Sequence, residues 1–255
     1  MLWYKSWLET RWRFVIGLVL LVLSACGSVL GYPEVVRLLP LAPTVDLSGV
    51  IGRQVAEALE LARSYRGYVW SQWFRQNMLQ MWALFAVLLG TGGLLSQAAR
   101  GGALFTLSLP ATRNRLLGVR AATGLAELLV LAFVPSLVLP VLSPAIGQTY
   151  SVGDALVHSA CIFIAGSVFF SLAFLLSTVF SDVWRPLLIV LCGATVLALL
   201  RVVFRDLSYY SLFKVMTGEV YFRGGGLPWL GLLTSAGLSL VMLYLATRNI
   251  ARQDF

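Results

Sequence analysis

The residues able to do chemistry in this sequence are few and far apart. Glu127 lies about two turns into an apolar run that opens near Val119. An ionisable group at that depth is costly and usually faces a packed interior or a water-filled cavity. Arg120 precedes it by seven residues, roughly 10 Å at the rise of a helix. Glu127 therefore has two readings: a possible intramembrane functional acid, on a transport path or in a latch, or the partner of Arg120 or another arginine. His158, the single histidine, has no ligand near it in sequence and reads as a packed or capping group. Cys26, Cys161 and Cys192 all fall in apolar runs and suggest neither disulfides nor a metal site. Asp154, Asp182 and Asp206 stand at the edges of such runs and form no evident pair.

Intramembrane catalysis would need a nucleophile with its base, a metal cluster or paired acids, and this set is poor in all three. A phosphate-binding loop would need Gly-Lys-[Ser/Thr] after a glycine-rich turn. The two lysines, Lys5 and Lys214, follow Tyr4 and Phe213 instead. The chain is thus not expected to be catalytic alone, nor to bind a cofactor directly.

Basic residues gather at one bend. "FTLSLPATRNRLLGVRA", Phe105 to Ala121, holds three arginines and no acid between two apolar stretches. Arg113, Arg115 and Arg120 suit anionic headgroups, or charges that orient the neighbouring spans. Phe105, Leu107 and Leu109, just before them, form an apolar stretch in a polar setting and call for a protein partner.

The elements that must position these residues are membrane helices. Of 255 residues, 59% are hydrophobic and 12% charged, about half the charge of a soluble domain, with mean hydropathy +0.85. Runs of about 20 apolar residues, enough to cross the hydrocarbon, are expected at Arg13–Gly31, Met78–Gln97, Val119–Val141, Ala155–Phe180, Arg185–Phe204 and Pro228–Thr247. The expectation is one all-α, polytopic transmembrane domain over 1–255. Within it, 1–13 forms an interfacial helix bearing Trp3, Trp7 and Trp12 and running into the first span. Residues 32–77 form an external connection, 98–118 a cytoplasmic loop and 205–227 a second external connection.

In the first external connection Pro33, Pro40 and Pro43 predict extended chain. From Ser48, a plausible N-cap, Val50, Ile51, Val55 and Leu59 share one helical face, opposite Arg53, Glu57, Glu60 and Arg63. Pro135 and Pro140 should kink or end the third span. Ser167, Ser171, Gly231, Ser235 and Ser239 are small enough for close helix packing within the chain. Tyr209–Met216 is half apolar and too short to span. The net charge of +8 is scattered at the ends of spans rather than clustered with aromatics, which argues against nucleic acid. Arg11 and Arg13 abut the first span, which places the N-terminus inside, and six spans return the C-terminus there. Leu23-Ser24-Ala25-Cys26 matches a lipoprotein cleavage pattern, but the further spans favour an ordinary membrane helix.

"GGALFTLSLPATRNRLLGVRAATGLAELLVL" resembles the connection between the second and third spans of ABC-2-type permeases, the membrane subunits of bacterial ABC exporters. "MLWYKSWLETRWRF" and "ATRNIARQDF" resemble the cytoplasmic ends of that family. The resemblance implies a six-helix subunit of the bacterial inner membrane that pairs with a second permease subunit, as homodimer or heterodimer. It further implies a coupling helix docked on a separate ABC ATP-binding subunit, where ATP and Mg reside. By that analogy Ser96, Gln97, Arg100, Phe105, Thr106 and Leu107 contact the ATPase. Ser96-Gln97 stands where many members have an acid, and the first external connection is longer than in the polysaccharide and multidrug branches. The substrate is not legible. The rival expectations are a non-transporting assembly or regulatory subunit, which would share these features, and a secondary carrier. A carrier would favour several intramembrane charges and an internal repeat.

Overall fold

The computed structural model describes residues 2–38, 49–92, 113–203 and 211–251. Among the described residues there is helix and no strand. In chain order the elements are α1 (Leu2–Leu38), α2 (Gly49–Ala62), α3 (Tyr65–Val69), a π-helix (Trp70–Met78) and α4 (Leu79–Gly90). Then come α5 (Arg113–Leu142), a 3-10 turn (Ser143–Ile146), α6 (Val152–Leu176) and α7 (Trp184–Val203). The last are α8 (Leu212–Thr217), α9 (Glu219–Phe222) and α10 (Trp229–Ala251).

Among the described residues four helices are long and apolar enough to cross a membrane: Leu2–Leu38, Asn114–Ile146, Val152–Leu176 and Trp229–Ile250. The fifth expected span carries a shorter apolar helix, Trp184–Leu200. The second was expected at Met78–Gln97. Helix there starts earlier, at Tyr65, and ends at Gly90, where Thr91 turns extended. The protein is therefore an all-helical chain with several membrane-capable helices. Its surface suits that setting, since Leu230, Leu233, Leu240 and Tyr244 all stand exposed on α10. In water, such a stripe of exposed apolar side chains would be a liability.

α6 is the centre of the bundle, in contact with α4, α5, α7, α8 and α10. Its small residues make this possible. Gly166 faces Trp82 of α4 so closely that a Cβ would overlap the indole. Ser167 Oγ meets Ser239 Oγ of α10 at 2.8 Å, so the small-residue positions bring two helices of one chain together. α8 packs on the same helix. Met216 and Thr217 are buried and Phe213 stacks near Phe169, so this short element inserts into the bundle rather than lying over it. α7 touches the rest through Leu187 and Val190, while Val196, Leu197, Leu199 and Leu200 are exposed.

Pro33 departs from the expected extended chain, Pro135 and Pro140 do not end their helix, and Pro40 and Pro43 lie outside the described residues. Pro33 lies inside α1, which runs on to Leu38, so the chain after Tyr32 is helical rather than extended. Pro135 and Pro140 likewise sit inside α5, which continues to Leu142. A proline costs one backbone bond and crowds the preceding turn. In a tightly packed membrane helix, neighbouring helices and nearby hydroxyls compensate. Leu131, Ala132 and Leu139 are wholly buried around the two α5 prolines. Ser136 and Ser143 donate back to Ala132 and Leu139 carbonyls at 2.9 and 2.6 Å. The expected interfacial segment 1–13 is continuous with the first span, because both belong to α1.

Candidate functional site

α4 ends at Gly90 and α5 begins at Arg113, within the basic stretch, and the ends of these two helices meet α1. The end of α4 leaves backbone carbonyls without helical partners, and these carry partial negative charge. Two arginines from different helices supply the missing donors. Arg13 of α1 donates through Nη1 to the Leu88 carbonyl at 2.7 Å and to the Thr91 carbonyl at 3.3 Å. Arg120 of α5 donates through Nη2 to the same Thr91 carbonyl at 3.2 Å. Gly92 follows with φ +89°, and a Cβ there would sit 3.3 Å from Arg120 Nη2. Glycine suits the site on both counts: the left-handed backbone and the close approach of the guanidinium.

A second layer ties α1 directly to α5. Arg120 Nη1 forms an ion pair with Glu9 at 3.1 Å. Thr10, one residue on, donates through Oγ1 to Glu127 Oε1 at 2.6 Å. Glu9, Thr10 and Arg13 lie within one turn of α1, and Arg120 and Glu127 lie two turns apart on one face of α5. Arg120 and Glu127 are both buried. Glu127 Oε2 meets no donor among the described residues. The result is a clamp in which the terminal carbonyls of α4 and the acid–base pairs of α1 and α5 hold three helices together.

Against the sequence expectations, Glu127 is inward-facing and bound, but to Thr10; the ion-pair partner of Arg120 is Glu9. Arg120, expected among the headgroup charges, is buried in this clamp because the end of α4 and Glu9 offer it acceptors. Arg115 is exposed, and Arg113 opens α5. Ser96, Gln97, Arg100, Phe105, Thr106 and Leu107 lie outside the described residues. Glu9, Thr10 and Arg13 were not singled out from sequence as one group. Their i, i+1, i+4 spacing, with an acid and a hydroxyl beside a basic residue in a segment read as interfacial, was the available signal.

A separate polar knot closes the opposite end of the bundle. Asp154, in the first turn of α6, accepts from Arg66 Nε at 2.9 Å and from Tyr221 OH at 2.9 Å. The Thr217 carbonyl at the end of α8 accepts from Trp70 Nε1 at 3.1 Å and lies 2.9 Å from His158 Nδ1. Trp70 stacks on Phe222 at 4.3 Å, with Arg66 over Phe222 and Arg75 over Trp70, a cation–π stack. His158 is thus a packed side chain holding a helix end. Nearby, Tyr65 OH lies 2.6 Å from Ser143 Oγ. Burial pushes the phenols of Tyr65 and Tyr150 above the ordinary tyrosine range.

Among the described residues no group of histidines, cysteines and acids could hold a metal ion. No family model, no curated protein and no solved structure matches the chain.

Proposed function

We propose that the chain is the membrane-spanning permease subunit of an ATP-driven, ABC-2-type exporter. In this reading it has six spans in a bacterial inner membrane, both termini cytoplasmic, and it pairs with a second permease subunit. ATP and Mg belong to a separate ATP-binding subunit docked on residues 98–118. The observation that carries the reading is the clamp at the root of that loop. A bend gripped by a motor moves helices only if its ends are mechanically joined to them, and here the end of α4 is bonded to both α1 and α5.

Force then passes in a defined order. ATP binding draws two ATPase subunits together and displaces the docked bends. Arg13 and Arg120 carry that displacement into α1 and α5, and the bundle rocks between inward-open and outward-open states. Glu127 acts as a latch in this cycle: its unengaged oxygen gives it a second position to bind when Thr10 moves away. The exposed outer half of α7 is open to lipid or to the second permease subunit.

The test is purification of the chain with its natural partners from a mild detergent. A co-purifying ATPase whose turnover depends on this subunit supports the pump. An ATPase that associates but turns over identically without the subunit points to an assembly role, and absence of any ATPase removes the proposal.

A further inference from the structure

One cavity of the molecule has no part in the exporter reading. It lies between α2, the end of α1 and the π-helix, with a volume of about 600 Å³, inside the range of roughly 300–1,000 Å³ typical of small-molecule sites. One wall is apolar: Val35 and Leu38 from α1, Ala58 and Leu61 from α2. The other is polar and comes from the π-helix. Ser71, Gln72, Arg75 and Gln76 share one side of it and face the cavity, while Trp70, Trp73, Phe74 and Met78 turn into the core. π-helical turns are rare and recur at functional sites. Four of its nine residues line this cavity.

The charges at the mouth are unequally satisfied. Glu57 Oε1 is shared by two guanidiniums, Arg75 at 3.5 Å and Arg223 at 3.7 Å. Arg223 is held more closely by Glu219, at 2.8 Å. Arg75 makes one long contact to Glu57 and lies over the Trp70 ring, so most of its five N–H donors meet no acceptor among the described residues. An exposed pair of that length is weak and exchanges easily for a better acceptor. The side-chain amides of Gln72 and Gln76 bond nothing else among the described residues and add donors on the same wall. An acid already shared by two cations, beside an arginine with donors to spare, favours an anion over a cation.

We propose that this cavity binds an amphiphile with a short acyl chain and an anionic head, carboxylate or phosphate. The head accepts from Arg75 and the glutamine amides, and the chain lies along Val35, Ala58 and Leu61. The site rests on α1, α2 and the π-helix and is independent of the exporter reading; it would persist in a chain that met no ATPase.

The experiment uses the full chain in phosphatidylcholine nanodiscs and three probes with a diazirine at the chain end: dodecanoate, dodecyl phosphate and a dodecyl trimethylammonium. Adducts from the anionic probes are expected on residues 57–62 and 71–76, about tenfold above those of the cationic probe. Preference for dodecanoate or for the phosphate identifies the head. Arg75→Glu should cut anionic labelling of these peptides about tenfold, and Ala58→Trp, which fills the cavity, should do the same. Size-exclusion profiles confirm that each variant is folded, and Arg75→Gln replaces Arg75→Glu if the latter is not. Equal labelling by the cationic probe, or undiminished labelling in the folded variants, overturns the proposal.

Discussion

Arg120 shows how one side chain can tie a bundle. It is buried, and it meets Glu9 and the Thr91 carbonyl together. Breaking a buried ion pair by removing one partner costs about 3 kcal/mol or more. Arg120→Gln should therefore lower the thermal midpoint in detergent markedly. Arg120→Lys should recover only part of the loss, because a single ammonium cannot span two acceptors as a planar guanidinium does. Equal stability of wild type and Arg120→Gln would show that the clamp bears no load. Tyr150 argues a different point at the same scale. Its hydroxyl is buried without a partner among the described residues, and burial holds its phenol above the usual range. Unfolded chains release that proton near pH 10 while the folded chain keeps it, so stability contributed below pH 10 is lost as pH rises beyond it. Tyr150→Phe should leave stability at pH 7 intact and move alkaline unfolding to higher pH, followed by circular dichroism. A shift to lower pH would contradict this assignment.

Among the elements, α6 decides how closely the others approach. Its Gly166 leaves room for the Trp82 indole, which in turn donates to the Leu128 carbonyl of α5 at 3.3 Å. Adding one methyl pushes α4 away and disturbs that bond. Overpacking of this kind costs about 1–3 kcal/mol, so Gly166→Ala should lower the denaturation midpoint, whereas Gly193→Ala, where nothing lies within 4 Å, should not. Similar losses at both positions would show that the Trp82 contact is not the cause, since alanine is the better helix former. The π-helix is the other informative element. It carries four large apolar side chains into the core while presenting four polar ones to the cavity.

At the scale of the molecule the two polar knots lie at opposite ends. The clamp of Glu9, Arg13, Arg120 and Glu127 sits where α1 and α5 begin, and the knot of Arg66, Asp154 and Tyr221 sits where α6 begins. In the proposed orientation the first is cytoplasmic and the second external. Single cysteines at exposed Asn114 and Val220, in a background lacking Cys26, Cys161 and Cys192, should react with an impermeant thiol reagent from opposite sides of sealed vesicles. Labelling of both from one side would refute that orientation. Phe105→Glu with Leu107→Glu should abolish ATPase association while membrane insertion persists; retained association would remove these residues from the proposed contact.

The helical class, the membrane setting and the inward burial of Glu127 were readable from the residue order, because hydropathy and helix period are local properties. A lone acid in an apolar run is conspicuous without any knowledge of its neighbours. Partnerships were not readable in this way. That Arg120 would choose Glu9 across 111 positions, or that Arg13 would cap a helix 75 positions away, depends on which faces the packed helices turn to one another. The prolines inside α1 and α5 make the same point. Local geometry argues for breaks there, and only surrounding helices, by burying the turns on either side, make continuation favourable. Composition determined the solvent of this protein; close packing around α6 decided which of its few charges meet.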